Sequence, residues 1–219
     1  MKHILASLLI SSCITMFGVE KYNYNEFYYQ RASLFELLPV TSSDIVFLGN
    51  SLTNGCEWHE LLNNPNVKNR GISSDVIQGL TDRIDPVIKG KPKKIFILGG
   101  ANDISHNLSA DSIATAIEKL IVKIKEGTPG TKIYLQSVLP INNDFQRYKA
   151  LNGTEQVFID TNKLLEKVAV KHGVTWVNLY DKFVGEDGKM KREYTNDGLH
   201  LLGPGYLVWR DAIIGYVNE

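Results

Sequence analysis

The grouping of apolar residues is what most limits the fold of this chain. Short unbroken apolar runs at 44–49, 94–98, 132–138 and 174–179, with a shorter one at 67–70, each stop at glycine, proline or a polar turn. Between them lie longer stretches, 27–38, 74–87, 110–125, 154–172 and 204–217, whose apolar positions recur at helical spacing. A run without polar alternation suits a strand buried on both faces, so the pattern predicts parallel strands joined by right-handed helical crossovers, with helices covering both sides of the sheet. In such an open sheet the ligand sits beyond the carboxyl ends of the strands. The turns after Leu48, Arg70, Leu98 and Val138 are therefore the places to look for chemistry.

A chain of 219 residues supports one such domain with a sizeable core. Its 24 basic and 24 acidic side chains balance, which disfavours nucleic acid or an anionic membrane as partner and favours a neutral or weakly charged substrate. The N-terminus differs in character: Lys2 and His3, then an apolar run over 4–10, then Ser11 and Ser12. That order predicts a secretory leader over 1–18, followed by a single domain over 19–219 and a periplasmic or extracellular location. A buried N-terminal helix is the alternative. The run is well short of the roughly 20 residues that span a bilayer, so no transmembrane helix is expected. Cys13, after Ile10-Ser11-Ser12, resembles a lipoprotein processing site and is the candidate position of a lipid anchor. Cys56 is the only other cysteine, so a chain cut beyond Cys13 has no internal disulfide.

Gly49-Asn50-Ser51-Leu52 directly follows the first long run. A serine hydroxyl there is a weak nucleophile until a base lies within hydrogen-bonding reach, and a serine in such a turn is more often a cap. Far along the chain stands Thr195-Asn196-Asp197-Gly198-Leu199-His200. An aspartate three residues before a histidine can fold back onto its Nδ1, leaving Nε2 free to take a proton. Two further strand ends offer donors for a developing oxyanion: Gly71 through its backbone N–H, and Asn102, in Gly100-Ala101-Asn102-Asp103, through its amide.

With these four short blocks in order, the chain resembles the GDSL-type hydrolases, the SGNH hydrolase superfamily, from Asp44 to the C-terminus. The resemblance implies a three-layer α/β/α, flavodoxin-like sheet of about five parallel strands. It also implies Ser51 as nucleophile and first oxyanion donor, Gly71 and Asn102 as the other donors, and Asp197 and His200 as the supporting pair. Asn50 stands where the usual block has aspartate, as in a sub-branch of secreted bacterial members that looks similar to this chain. The implied activity is ester hydrolysis through an acyl-serine. Acetylated carbohydrates are the favoured small-molecule or glycan substrates, and lysophospholipids or acetylated ether phospholipids the alternative.

Trp58 and His59 follow the serine turn closely, and His106 follows Asn102; all three are candidates to line the pocket. His172 reads as a residue satisfying the end of a helix. No paired-cysteine or histidine spacing points to a metal, and no glycine-rich phosphate cradle points to a nucleotide, so the expected chemistry needs no cofactor. A noncatalytic glycan-binding protein and a flavodoxin-like cofactor binder are the competing readings.

Overall fold

The computed structural model describes residues 23–219. The expected leader over 1–18 and Cys13 lie outside them. Helix α1 (Glu26–Leu37) precedes β1 (Ile45–Gly49), the short helices α2 (Ser51–Asn54) and α3 (Trp58–Leu61), and β2 (Val67–Gly71). Then come α4 (Ile77–Asp82), α5 (Asp85–Gly90), β3 (Lys94–Leu98), α6 (Ala101–Ser105), α7 (Ala110–Gly127) and β4 (Lys132–Gln136). The chain ends with α8 (Glu155–His172), β5 (Thr175–Val177), α9 (Tyr180–Phe183) and α10 (Gly203–Asn218).

The five strands form one all-parallel sheet in the order β2-β1-β3-β4-β5, flanked by helices on both faces, as the apolar grouping predicts. Strand order reverses between β1 and β3, so a crevice opens beyond their carboxyl ends. In register, Gly49 lies beside both Gly71 and Leu98, which brings three turns to one edge.

One face of the sheet packs Val46, Leu48, Ile95 and Ile97 against α4, α5, α7 and α8. The other carries an aromatic ladder. Phe47, Phe96 and Tyr134 are register neighbours on β1, β3 and β4, and their rings stack at 4.8 and 4.4 Å, with Trp58 adding a ring 4.3 Å from Phe47. Each such pair adds about 0.5–1.5 kcal/mol beyond the area it buries. Lys94, the one charged residue in β3, is fully buried at the foot of this face. Its ammonium donates to the carbonyls of Tyr216, Val217 and Glu219 at 2.6, 2.9 and 2.8 Å, closing the C-terminus of α10.

The helix expected over 74–87 is two helices. Ser74 is left-handed at φ 65° and cannot begin one, Arg83 ends α4 with its guanidinium turned inward, and Pro86 sits in the first turn of α5, where no N–H is needed. Strand β5 stops at Val177 because the N–H groups of Leu179 and Tyr180 turn to the Ser137 hydroxyl at 2.9 and 2.8 Å. Three short helices, α3, α6 and α9, were not apparent in the sequence pattern. Among the described residues no helix is long and apolar enough to cross a membrane.

Candidate active site

Strand β1 runs directly into the serine turn. Asn50 is the N-cap of α2, and its Oδ1 accepts the Leu52 N–H at 3.1 Å. The site is 2% exposed, so an amide supplies the capping acceptor that an aspartate would, without burying a carboxylate beside the serine. The far end of α2 is held by Asn69, whose amide donates to the carbonyls of Thr53, Asn54 and Cys56. Ser51 therefore stands at the first position of a helix fixed at both ends.

The loop before α10 brings the base to it. Thr195 bridges to Leu201, and its hydroxyl accepts the Gly198 N–H at 2.9 Å. Gly198, at φ 88°, lies against the segment after β4: its carbonyl accepts the Asn142 N–H at 2.8 Å, and a Cβ there would sit 2.1 Å from the Asn142 oxygen. His200 Nε2 lies 2.9 Å from Ser51 Oγ, and Nδ1 lies 2.8 Å from Asp197 Oδ2. Asp197 Oδ1 accepts the backbone N–H groups of Leu199 and His200 at 2.9 and 2.8 Å. An imidazole held in this way presents an unprotonated Nε2 to the hydroxyl.

Burial alone pushes the Asp197 carboxyl up. The His200 ring, the N–H groups of His200 and Leu199 and the Tyr148 hydroxyl outweigh it and hold the group at about 2, below the ordinary carboxylate range. A depressed folded value means that the ionised form stabilises the fold. The contribution, on the order of 1 kcal/mol after solvent screening of a partly exposed group, is whole above about pH 4 and lost as pH falls through about 2. Chemical denaturation of wild type and Asp197→Asn across this range is expected to show their stability difference narrowing below pH 4.

Asn102 sits in α6 after Gly100, whose φ of 124° only glycine adopts readily. Its Nδ2 donates to the Asp75 carbonyl at 2.8 Å, which orients the amide. Gly71 departs from expectation. Its N–H is engaged by Asn69 Oδ1 at 2.8 Å, and its lack of a side chain admits the α2 backbone, since a Cβ would lie 2.2 Å from the Asn54 nitrogen. The residue that reaches the crevice from this turn is Ser74. Among the described residues, the backbone N–H groups of Ser74 and Ser51 donate to no protein atom. Arg83 braces this side, donating to Asp75 at 2.8 Å and to the Gly49 carbonyl at 3.0 Å; burial pushes the Asp75 carboxyl up to about 6.

Ser51, Asn102, Ser74 and His200 open on one cavity of about 600 Å³. Ser73, Ser105 and His106 line one side of it, and Tyr148, Lys149, Ala150, Leu151 and Leu199 the other. His106 is thus placed where the sequence reading put it, but Trp58 and His59 are not. Trp58 is fully buried on the opposite side of α2, with its indole N–H donating to the Thr53 carbonyl at 2.8 Å, so it supports the serine turn from within the core. His59 is exposed, 3.7 Å from the Glu60 carboxylate. The His172 ring pairs with Glu118 on α7 at 2.6 Å instead of closing its own helix. Tyr148, which touches both Asp197 and His200, carried no signal in the sequence, since a lone tyrosine in a polar loop has no spacing to mark it. Among the described residues no three metal-binding side chains cluster.

Comparison with known proteins agrees with this fold. Platelet-activating factor acetylhydrolase IB subunit alpha2 of Homo sapiens is 29% identical over 172 residues, covering 74% of this chain and 71% of the human one. A GDSL-like lipase from Bacteroides thetaiotaomicron superposes with a TM-score of 0.74 at 25% identity, over 87% of this chain and 97% of its own. A variant of an acetyl-xylooligosaccharide esterase from Geobacillus Stearmophilus shares the fold, with a TM-score of 0.66 at 16% identity over 82% of this chain and 96% of its own. Residues 47–208 match the GDSL-like Lipase/Acylhydrolase family, and the chain belongs to it.

Proposed function

We propose that this acylhydrolase removes acetyl groups from carbohydrate esters, with Ser51 as nucleophile and His200 and Asp197 as its base and support. The observation that carries the reading is the unbroken chain from Asp197 through His200 to Ser51, at 2.8 and 2.9 Å, opening on the 600 Å³ cavity. Ser51 Oγ attacks the ester carbonyl while Nε2 takes its proton. The tetrahedral oxygen is met by the N–H groups of Ser51 and Ser74 and by the second amide hydrogen of Asn102, and the alcohol leaves with the proton from Nε2. Water, deprotonated by the same nitrogen, then cleaves the acyl-serine to free acid and restores the hydroxyl. Ser74 takes the donor role that the sequence reading gave to Gly71.

Substrate preference rests on the lining. Hydroxyl and amide groups of Ser73, Ser74, Asn102 and Ser105 face it, with Ala150, Leu151 and Leu199 as its apolar part. Such a wall suits a hydroxylated alcohol and a short acyl group. The human relative's name supports a second reading, an acetylated phospholipid, with the same acyl group on another alcohol. We also propose, from the charged, apolar and small-residue order of positions 2–12, that the enzyme is exported by a leader over 1–18, with Cys13 as the candidate lipid attachment point.

A series of p-nitrophenyl acetate, butyrate and octanoate tests the acyl preference. Acetate is expected to be favoured over octanoate by at least about tenfold in kcat/KM, given the cost of methylenes that find no pocket. Preference for octanoate rejects the short-acyl reading, and no turnover of any ester rejects the hydrolase. Acetate release from an acetylated xylooligosaccharide, set against release from an acetylated ether phospholipid, decides the alcohol.

A further inference from the structure

The Asp–His pair has a third partner. Tyr148 precedes the short turn Lys149–Leu151 on the loop after β4, and its hydroxyl lies 2.9 Å from Asp197 Oδ2 and 3.0 Å from His200 Nδ1. Its ring meets the imidazole edge to face, with centroids 5.6 Å apart. The three polar atoms thus form a closed triangle, since Nδ1 is itself 2.8 Å from Oδ2.

Proton placement decides what the triangle does. Asp197 Oδ1 is taken by two backbone N–H groups, so Oδ2 is the acceptor left for the side chains. If Nδ1 carries the proton, the tyrosine O–H points to Oδ2 and a phenolic lone pair faces Nδ1–H, so every donor has an acceptor. If Nε2 carries it, Nδ1 and Oδ2 are both acceptors 2.8 Å apart and the single tyrosine proton serves only one of them, leaving the other without a donor. Burial and then the Asp197 bond push the phenol above the ordinary tyrosine range, so it enters as a donor. The charged groups around the triangle are Asp197 on the loop before α10 and Arg147 on the tyrosine's own segment.

We propose that Tyr148 is a positioning residue. It fixes the His200 tautomer that presents a bare Nε2 to Ser51, and it ties the Asp–His pair to the cavity wall formed by Lys149, Ala150 and Leu151. The kinetic part of this inference rests on the hydrolase reading, whereas the hydrogen-bond part does not. Removing the hydroxyl leaves Oδ2 to the imidazole alone, which concentrates the carboxylate's charge on the Nδ1–H bond while the pair loses its tie to the cavity wall.

Tyr148→Phe keeps the packed ring and removes only the hydroxyl. With p-nitrophenyl acetate, kcat is expected to fall about tenfold, the worth of one hydrogen bond to a charged group, with KM within about twofold. The acid limb of the kcat/KM profile is expected to move to higher pH. Proton NMR supplies a readout that needs no turnover: the low-field Nδ1–H resonance of His200, assigned by its loss in His200→Ala, is expected to move further downfield in Tyr148→Phe. An unmoved resonance and pH profile overturns the proposal, whether or not kcat falls, because a residue that merely builds the wall leaves both in place. If wild type hydrolyses no ester but the resonance moves, the hydrolase reading fails and the positioning role stands.

Discussion

Replacing Ser51 with alanine is expected to lower kcat/KM for p-nitrophenyl acetate by about 10⁴-fold or more, and His200→Ala by a similar factor. In the proposed mechanism Oγ and Nε2, 2.9 Å apart, act as a unit, and neither accomplishes the step without the other. The double variant is therefore expected to be no slower than either single one, since the losses do not add when one transition state needs both groups. Folding is expected to survive. Asn50 keeps the helix cap, Asn69 keeps the far end of α2, and alanine suits the first helical position, so Tm should move by no more than a few degrees in thermal unfolding. Residual turnover by Ser51→Ala close to wild type would remove the nucleophile from the proposed mechanism.

Asn102→Ala is expected to cost about 10²- to 10³-fold in kcat, the usual worth of one oxyanion donor, with a smaller change in KM. Its amide is preset by the Asp75 carbonyl at 2.8 Å, so no ordering is needed as charge develops. The effect belongs to the transition state because the neutral ester carbonyl gains less from the same donor. Gly71→Ala offers a contrast. A methyl group 2.2 Å from the Asn54 nitrogen forces α2 away from β2, so this variant is expected to unfold at lower temperature and to lose activity along with its fold. Steady-state kinetics beside thermal unfolding separates the two, since Asn102→Ala should keep its Tm while Gly71→Ala should not.

Much of the fold was legible because its signals are local. β3 begins and ends where its apolar run does, at Lys94 and Leu98, and α7, α8 and α10 start and stop within about two residues of their periodic stretches. The failures also have local causes. Residues 74–87 carry an unbroken helical period, but Ser74 is left-handed and Pro86 restarts the chain, so tertiary fit overrode the pattern. The short helices α2 and α6 are too brief to show a period, and they are the elements that carry Ser51 and Asn102.

The candidate site divides along the same line. Ser51, Asn102, Asp197 and His200 each lie in a short block whose order along the chain is informative, and the fold gathers all four at one crevice. Gly71 and Trp58 were misplaced because proximity in sequence says nothing of direction. Gly71 turns its N–H to Asn69, and Trp58 turns its ring into the aromatic ladder.

Residue order and apolar period alone determined that this chain builds a single parallel sheet, with its chemistry at the carboxyl ends of the strands, because those signals act between neighbours a few positions apart. Only the tertiary structure decided which N–H groups remain free for an oxyanion, that Ser74 and not Gly71 offers one, and that Tyr148 joins Asp197 and His200. Those outcomes depend on hydrogen bonds between residues as far apart as 149 positions, as Ser51 and His200 are, and on a backbone dihedral at Ser74 that no side-chain pattern encodes.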